Sequence, residues 1–116
     1  MSAAAAFGPQ VLGEVFASCS GLHAQKDFLV YSGPNALSGD GERHSFGETY
    51  SLASGIAAFL IDAIGLAKGD RVAQLMRNYP EWPLSFMAAV AVGCVTVPTN
   101  SLWNQAEIAY GMQDSG

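Results

Sequence analysis

Apolar residues form one long stretch without charge, and its pattern decides between a membrane span and a buried unit. From 82 to 98 the sequence WPLSFMAAVAVGCVTVP holds no charged residue. A membrane-spanning helix needs about 20 apolar residues in a row, whereas this stretch is shorter and contains Pro83 and Gly93. The pattern instead predicts a helix that ends at a left-handed Gly93 and a strand over 94–97 that ends at Pro98. Such an apolar strand is typical of a parallel sheet covered on both faces. No transmembrane segment is expected.

Before this unit, the chain begins with a segment of low complexity and a short periodic pattern. Residues 1–9 are rich in alanine and are predicted to be a disordered tail. From Val11 to Cys19, apolar residues recur at helical spacing and predict a short amphipathic helix that ends near Gly21. This helix is expected to serve packing.

Three strand patterns follow the first helix. The segments DFLVYSG (27–33) and RHSF (43–46) predict a loose β-hairpin. Its turn-rich connection, PNALSGDGE, contains the turn dipeptide Asp40-Gly41. The segment RVAQLM (71–76) predicts a further strand that enters the long apolar stretch.

Two helices are marked by capping boxes, in which a polar residue and a glutamate three positions later satisfy the first backbone N–H groups. Ser45 with Glu48 predicts one helix start, and Asn104 with Glu107 predicts another. We expect the first of these helices to end at Gly65 and to bury one apolar face, made of Leu52, Ile56, Phe59, Leu60 and Ala63. Between the two, Asn78 and Pro80 mark a third helix start, with Pro80 at the first helical position.

The order helix, hairpin, helix, strand, helix, strand, helix indicates an α/β fold. The strands at 71–76 and 94–97 with their crossover helix form one parallel βαβ unit, which is expected to be right-handed. Two parallel strands and a hairpin make an incomplete sheet. We therefore predict that residues 10–116 are the N-terminal portion of a doubly wound domain.

Composition narrows the function classes. Only 13% of the residues are charged, against about 25% in average soluble domains, which suggests surface that more protein covers. The net charge of −5 and the absence of any basic run argue against a nucleic-acid partner, and none is expected. Cys19 and Cys94 lack framework spacing and are read as reduced thiols of an intracellular protein. Because no Lys or Arg precedes Lys26, no signal peptide is indicated, and a cytoplasmic location is expected.

Residues with catalytic or ligand-binding potential are few. The sequence contains neither a phosphate-binding loop of the G-x-x-x-x-G-K-[ST] type nor G-x-G-x-x-G, and it has no G-x-S-x-G elbow. Cys19 and His23 could share a helical face, but His44 is the only other histidine, and a zinc site needs three or four ligands. No metal site is predicted.

The remaining polar and aromatic candidates have structural interpretations. Glu48 and Glu107 are read as helix caps, and Asp70 as a turn residue. Arg71 and Arg77 flank a strand and are expected to be solvated. Trp82 and Trp103 are expected to anchor a core or a domain interface.

Five motifs in fixed order carry a resemblance to a known family. They are SFGETY (45–50), G-D-R-V (69–72), N-x-P-E-W (78–82), AVGCVTVPTN (91–100) and D-S-G (114–116). The pattern resembles the adenylate-forming superfamily, which includes acyl-CoA synthetases, luciferases and the adenylation domains of peptide synthetases. The final segment, NSLWNQAEIAYGMQDSG, is most similar to fatty-acyl and related carboxylic-acid CoA ligases. The sequence departs from the family pattern in three places. Thr49 stands where the family usually has Leu, Pro83 interrupts the helix start, and residues 1–27 match nothing specific.

This resemblance implies an enzyme that joins a fatty or other carboxylic acid to coenzyme A. Such ligases use ATP and Mg²⁺ to form an acyl-adenylate, release pyrophosphate, and pass the acyl group to the coenzyme A thiol. The family's phosphate loop, ribose-binding aspartate and C-terminal lysine have no counterpart in this sequence. The resemblance therefore assigns no catalytic, cofactor-binding or metal-binding residue to this chain, which we expect to be inactive by itself, with the remainder of a synthetase as its partner.

One alternative remains open at this point. A small stand-alone α/β module for protein interaction or regulation, without catalysis, would also suit an acidic chain of low charge with exposed apolar faces.

Overall fold

The fold is α/β, as the sequence predicts. The computed structural model describes residues 11–34 and 41–116. In chain order the elements are α1 (Leu12–Leu22), β1 (Asp27–Tyr31), β2 (Glu42–Ser45), α2 (Phe46–Phe59, continued by a π-helical turn over Leu60–Ile64), β3 (Arg71–Leu75), α3 (Glu81–Val92), β4 (Val95–Thr99) and α4 (Gln105–Asp114). The predicted tail over 1–9 and most of the hairpin connection lie outside the described residues.

The hairpin and the parallel unit are both present, but the expectation that they share one sheet is wrong, because they form two separate two-stranded sheets. Strands β1 and β2 pair antiparallel, with Tyr31 opposite Glu42 and an irregular register near Asp27. Strands β3 and β4 pair parallel, from Arg71 opposite Val95 onward. Helix α3 connects β3 to β4, so the βαβ unit is confirmed.

Strand β4 continues through Pro98 to Thr99, so the prediction that Pro98 ends the strand is wrong. The reason is the direction in which backbone groups point. The Val95 N–H donates to the Asp70 carbonyl across the pair at 2.8 Å. Because successive residues of a strand direct their backbone groups to opposite sides, position 98 points away from β3. Its missing N–H therefore removes no hydrogen bond between these strands.

Both predicted capping boxes are present. The Glu48 N–H donates to Ser45 Oγ at 3.1 Å, and the Ser45 N–H donates to the Glu48 carboxylate at 2.9 Å. The corresponding distances between Glu107 and Asn104 are 3.0 and 2.8 Å. Helices α2 and α4 thus begin where local hydrogen bonding dictates.

Helix α3 begins one residue later than predicted. Glu81 is its first residue and Pro80 precedes it. Pro83 then lies in the first turn, where backbone N–H groups have no partner within the helix, so it interrupts nothing. The predicted helix end at Gly65 and the predicted left-handed Gly93 are both confirmed; both glycines are left-handed, with φ of 78° at Gly65 and 87° at Gly93.

The core lies between α2 and α3, with α1 and the hairpin against it. Its centre contains Ala53, Leu84 and Met87, and Phe16, Leu29 and Ile56 pack around them. On α2 the buried positions are Thr49, Ala53 and Ala57. Small side chains let two helices approach closely, and the Thr49 hydroxyl is satisfied by donating to the Ser45 carbonyl at 2.7 Å.

The predicted apolar face of α2 is therefore largely wrong. Leu52 is 46% exposed and Phe59 is 57% exposed, while the buried stripe runs through the smaller residues. Helical periodicity alone predicts that the larger side chains are buried. In the structure α2 packs closely on α3, and the small side chains occupy the contact.

Among residues 11–34 and 41–116, no helix combines the length and the apolar character needed to cross a membrane.

Candidate functional site

The carboxyl ends of parallel strands are where open α/β sheets bind their ligands. Strand β3 ends at Leu75 and is followed by Arg77 and Asn78, and β4 is followed by Asn100. Arg77 is exposed, as predicted. The Asn100 side chain accepts a hydrogen bond from the Leu102 N–H at 2.9 Å and so holds its own turn. These residues give this end of the sheet one guanidinium and two amides, and none of the three groups is a nucleophile or a general base.

An aromatic groove lies between the carboxyl end of β3 and the β1–β2 hairpin. The groove has a volume of about 280 Å³ and is lined by Leu29, Val30, Tyr31, Asn78, Tyr79, Pro80, Trp82 and Pro83. The rings of Tyr31 and Tyr79 meet edge to face, with centroids 5.6 Å apart. Trp82 stacks on Phe86 at 5.6 Å and an interplanar angle of 11°. Trp82 thus packs on its own helix and lines the groove, and its expected role as an anchor of a core or a domain interface stays a prediction.

Carboxylates border the groove. Glu42 and Glu81 line an adjoining hollow together with Tyr31 and Tyr79. The Glu42 carboxylate lies 2.7 Å from Nε2 of His44. An apolar groove with an acidic border can accept an uncharged or cationic group, and it disfavours a phosphate.

A buried amide at the interface of β3 and α3 was not singled out by the sequence. Gln74 Nε2 donates to the Trp82 carbonyl at 2.6 Å and to Ser85 Oγ at 2.7 Å. The Gln74 amide oxygen is buried and lacks a partner among the described residues. Gln74 ties the strand to the first turn of α3, and the one signal for it was a polar residue inside the apolar pattern RVAQLM.

Both cysteines are free thiols, as predicted. Cys94 is buried, and its thiol lies 3.6 Å from the Ala67 carbonyl. Burial, and secondly the nearby carboxylate of Asp70, raises the pKa of the Cys94 thiol. A raised pKa disfavours the thiolate, so Cys94 is a packing residue and a poor nucleophile.

Cys19 and His23 are not brought into a ligand cluster. Cys19 faces a small apolar cavity of about 170 Å³ that Phe46 also lines, and the His23 ring packs against Phe46 at 5.8 Å. Within the described part of the chain, no group of three His, Cys, Asp or Glu residues could hold a metal ion.

The other candidate residues have local roles. Glu48 and Glu107 are caps, as predicted. The Asp70 carboxylate accepts a hydrogen bond from the Ala67 N–H at 2.8 Å and so stabilises the turn before β3. Trp103 lies over Gly111, where an added Cβ would be 3.0 Å from Trp103 Cζ3, which explains the glycine inside α4.

These residues do not fit the groups that the resemblance implies. ATP and Mg²⁺ need backbone N–H groups or cations for the phosphates and oxygen ligands for the metal. The described residues hold no metal-binding cluster, and the groove beside the sheet is apolar with an acidic border.

Comparison with known proteins decides the family. The sequence pattern of the family described as AMP-binding enzyme matches residues 18–116. The chain belongs to this family. The expected membership of the adenylate-forming superfamily is thereby confirmed.

Individual members of the AMP-binding family show the same relationship. The long-chain-fatty-acid–CoA ligase of Yersinia pestis is 32% identical over 88 residues, which are 76% of this chain and 16% of that protein. The N-terminal domain of FACL13 from Mycobacterium tuberculosis superposes with a TM-score of 0.78 at 29% identity, over 92% of this chain and 26% of that one. The N-terminal subdomain of NpsA from Klebsiella oxytoca, at 24% identity, gives a TM-score of 0.81 over 91% of this chain and 26% of that one, which shows the fold.

The chain thus spans about one sixth of the length of the curated relatives it matches. The motifs that carry the family relationship occupy structural positions: SFGETY opens α2 through its capping box, and the end of AVGCVTVPTN forms β4. In this AMP-binding family member they form a helix start and a strand.

Proposed function

We propose that this chain forms the first α/β unit of the large domain of an ATP-dependent acyl-CoA synthetase. The complete enzyme would convert a carboxylic acid, ATP and coenzyme A to acyl-CoA, AMP and pyrophosphate through an acyl-adenylate. The observation that carries the proposal is the AMP-binding family match over residues 18–116, supported by relatives named as long-chain-fatty-acid–CoA ligases. A long-chain fatty acid is accordingly the proposed substrate.

Within that enzyme we assign this chain a scaffold role. Catalysis of adenylation depends on neutralising and positioning the transferring phosphates. The carboxylates Glu48, Asp70 and Glu107 are engaged in caps and a turn, and the Cys94 thiol is buried. Catalytic groups, ATP, Mg²⁺ and coenzyme A are therefore expected to be held by other parts of the synthetase.

An exposed apolar face of the β3–β4 sheet supports the proposal that the rest of the synthetase packs against this chain. On the face of the β3–β4 sheet opposite α3, Leu75 is 43% exposed and Val95 is 52% exposed. Contiguous apolar patches of more than a few hundred Å² are rare on monomers. Burial of this face by the rest of a synthetase would remove it from water.

ATP–pyrophosphate exchange tests the proposal. The intact synthetase that contains this chain should exchange labelled pyrophosphate into ATP when a long-chain fatty acid is added, and should show little exchange with acetate. The 116-residue chain should show none under the same conditions. Exchange by the short chain alone would contradict the scaffold role, and no exchange by the intact protein with any carboxylic acid would contradict the proposed activity.

A further inference from the structure

The aromatic groove beside the hairpin has two tyrosine rings in its wall. Tyr31 of β1 and Tyr79, which precedes α3, both line it, and their ring planes meet at 72° with centroids 5.6 Å apart. Trp82 lines the same groove. The face of an aromatic ring carries partial negative charge, so a cation within about 6 Å of the ring centroid is attracted to it. Rings set at a steep angle can act on one cation from two sides.

Carboxylates at the rim add charge of the same sign. Glu42 and Glu81 border the adjoining hollow, which shares both tyrosines with the groove. Glu42 lies 2.7 Å from Nε2 of His44, whereas Glu81 forms no salt bridge with any described residue. Among the described residues, no Lys or Arg side chain lines the groove or the hollow. The negative potential of this region is therefore not cancelled by a lysine or an arginine.

The start of α3 lacks the donors that would turn the groove into an anion site. The first four N–H groups of a helix have no partner within the helix and commonly bind anions. Here Pro80 and Pro83 have no N–H, and the Trp82 N–H donates to the Tyr79 carbonyl at 3.0 Å. Glu81 adds a negative charge in the same turn. The groove thus disfavours a phosphate or a carboxylate and favours a positively charged group.

The apolar lining selects among positively charged groups. A primary ammonium is strongly hydrated and needs acceptors for three N–H groups. The groove offers mainly apolar side chains, among them Leu29, Val30 and Pro80. A quaternary ammonium has no N–H to satisfy and presents methyl groups to such a surface, and clusters of aromatic side chains recognise it in proteins.

From these observations we infer that the groove of Tyr31, Tyr79 and Trp82, with Glu81 at its rim, binds the quaternary ammonium group of a small molecule. Its volume of about 280 Å³ is sufficient for a trimethylammonium head. The inference does not depend on the proposed function, because every residue that it uses lies in this chain.

A second aromatic patch with a similar composition provides an internal control. Trp103, Glu107 and Tyr110 border an open hollow at α4. The Glu107 carboxylate is engaged there, since it accepts a hydrogen bond from the Asn104 N–H at 2.8 Å. The Trp103 and Tyr110 rings, both within the described residues, do not form a ring pair. This patch should therefore bind the same cation much more weakly.

An NMR titration with choline tests the inference, because the two tryptophans of the chain supply one indole N–H signal at each patch. Choline chloride is added to the isotope-labelled 116-residue chain, with NaCl in the reference sample to match the ionic strength. A small ligand in an open groove is expected to have a Kd of roughly 1–10 mM, so the titration extends to about 50 mM. The Trp82 indole signal should shift and saturate, and the Trp103 signal should stay in place.

A neutral isostere separates charge from shape. The uncharged analogue 3,3-dimethylbutanol, in which carbon replaces the quaternary nitrogen, should bind at least about fivefold more weakly than choline. Equal binding of the two would show an apolar groove without preference for a cation. Equal shifts of both indole signals would show nonspecific association with exposed aromatic rings. Either result would overturn the inference, as would the absence of saturable binding at Trp82.

Substitutions locate the site. Tyr79→Leu removes one ring and should weaken choline binding at least about fivefold, whereas Tyr110→Leu at the control patch should leave it unchanged. Glu81→Gln removes one charge at an exposed position and should weaken choline binding about threefold without affecting the isostere. If Tyr79→Leu fails to fold, Glu81→Gln decides. Unchanged choline affinity in Glu81→Gln, or in a folded Tyr79→Leu variant, would overturn the assignment.

Discussion

The two faces of the β3–β4 sheet differ in burial although the same strands form both. On the face toward α3, Gln74 is buried, and helix residues Leu84, Met87 and Ala88 lie in the interior. On the opposite face, Leu75 and Val95 are about half exposed. The sheet is buried on the face that the crossover helix α3 covers. The described elements leave apolar side chains on the other face exposed to solvent.

The exposed apolar face of the sheet explains the low fraction of charged residues in the sequence. A chain in which only 13% of all residues are charged is unusual for an isolated domain. The sequence predicts a sheet covered on both faces, and residues 11–34 and 41–116 cover one of them. Under the proposed function, the second face is interior to the complete domain.

The largest expected effect comes from truncating a buried methionine, compared with an exposed one. Met87 on α3 is 5% exposed and Met112 on α4 is 47% exposed. Met87→Ala should reduce the free energy of unfolding of the 116-residue chain by about 3 kcal/mol through lost burial and a cavity. Met112→Ala should change it by less than about 0.5 kcal/mol. Urea denaturation measures both, and equal losses would show that Met87 contributes no more to the core than an exposed methionine does.

The two cysteines should differ in reactivity. Cys94 is buried with a raised pKa, whereas Cys19 is partly exposed. Since only the thiolate reacts, iodoacetamide should modify Cys19 at least about tenfold faster than Cys94 at pH 8. Peptide mass spectrometry over time measures the two rates, and faster modification of Cys94 would show that the start of β4 is open.

The raised pKa of the Cys94 thiol also predicts how the stability of the chain changes with pH. The folded pKa is raised above the model-compound value of 9.0, so the unfolded chain loses its thiol proton first. The contribution of Cys94 to stability is complete below pH 9.0 and is lost as the pH rises through the folded pKa. Replacing Cys94 with Ala should flatten this alkaline decline, and an unchanged pH profile would contradict the assignment.

The two capping boxes should have different consequences although their geometry is alike. Ser45→Ala uncaps α2, which is packed into the core, and should cost about 1 kcal/mol of global stability. Asn104→Ala uncaps α4, none of whose residues is buried. That substitution should speed amide exchange within α4 and leave the urea midpoint nearly unchanged. A global loss of similar size from both would mean that α4 is an integral part of the core.

The smallest expected effect compares two helical glycines. An added Cβ at Gly55 in α2 would meet nothing within 4 Å, whereas at Gly111 it would meet the Trp103 ring at 3.0 Å. Gly55→Ala should stabilise the chain by roughly 0.5–1 kcal/mol through helix propensity. Gly111→Ala should gain less, because the indole must shift. Thermal melts of both variants measure the difference, and an equal gain would show that Trp103 does not occupy that position.

Features fixed by local hydrogen bonding could be predicted from the sequence. Both capping boxes and the left-handed Gly93 depend on neighbouring residues, and the structure has them where the sequence places them. The buried stripe of α2 could not be predicted, because the partner helix decides whether Leu52 or Ala53 faces inward. Pro98 was misjudged because its effect depends on which side of β4 is paired.

In the candidate site, too, the features set by neighbouring residues could be predicted and those set by distant contacts could not. The assignment of Glu48 and Glu107 to caps was accessible from spacing. The buried amide of Gln74 and the groove between Tyr31 and Tyr79 were not, since both arise from contacts between segments distant in sequence.

The central claim is that the sheet face opposite α3 is interior to a complete synthetase. Cysteine labelling of Leu75→Cys, followed by peptide mass spectrometry in the 116-residue chain and in the intact synthetase, tests it most directly. The account predicts rapid labelling at position 75 in the short chain and strong protection in the intact protein. Equally rapid labelling in both would contradict it.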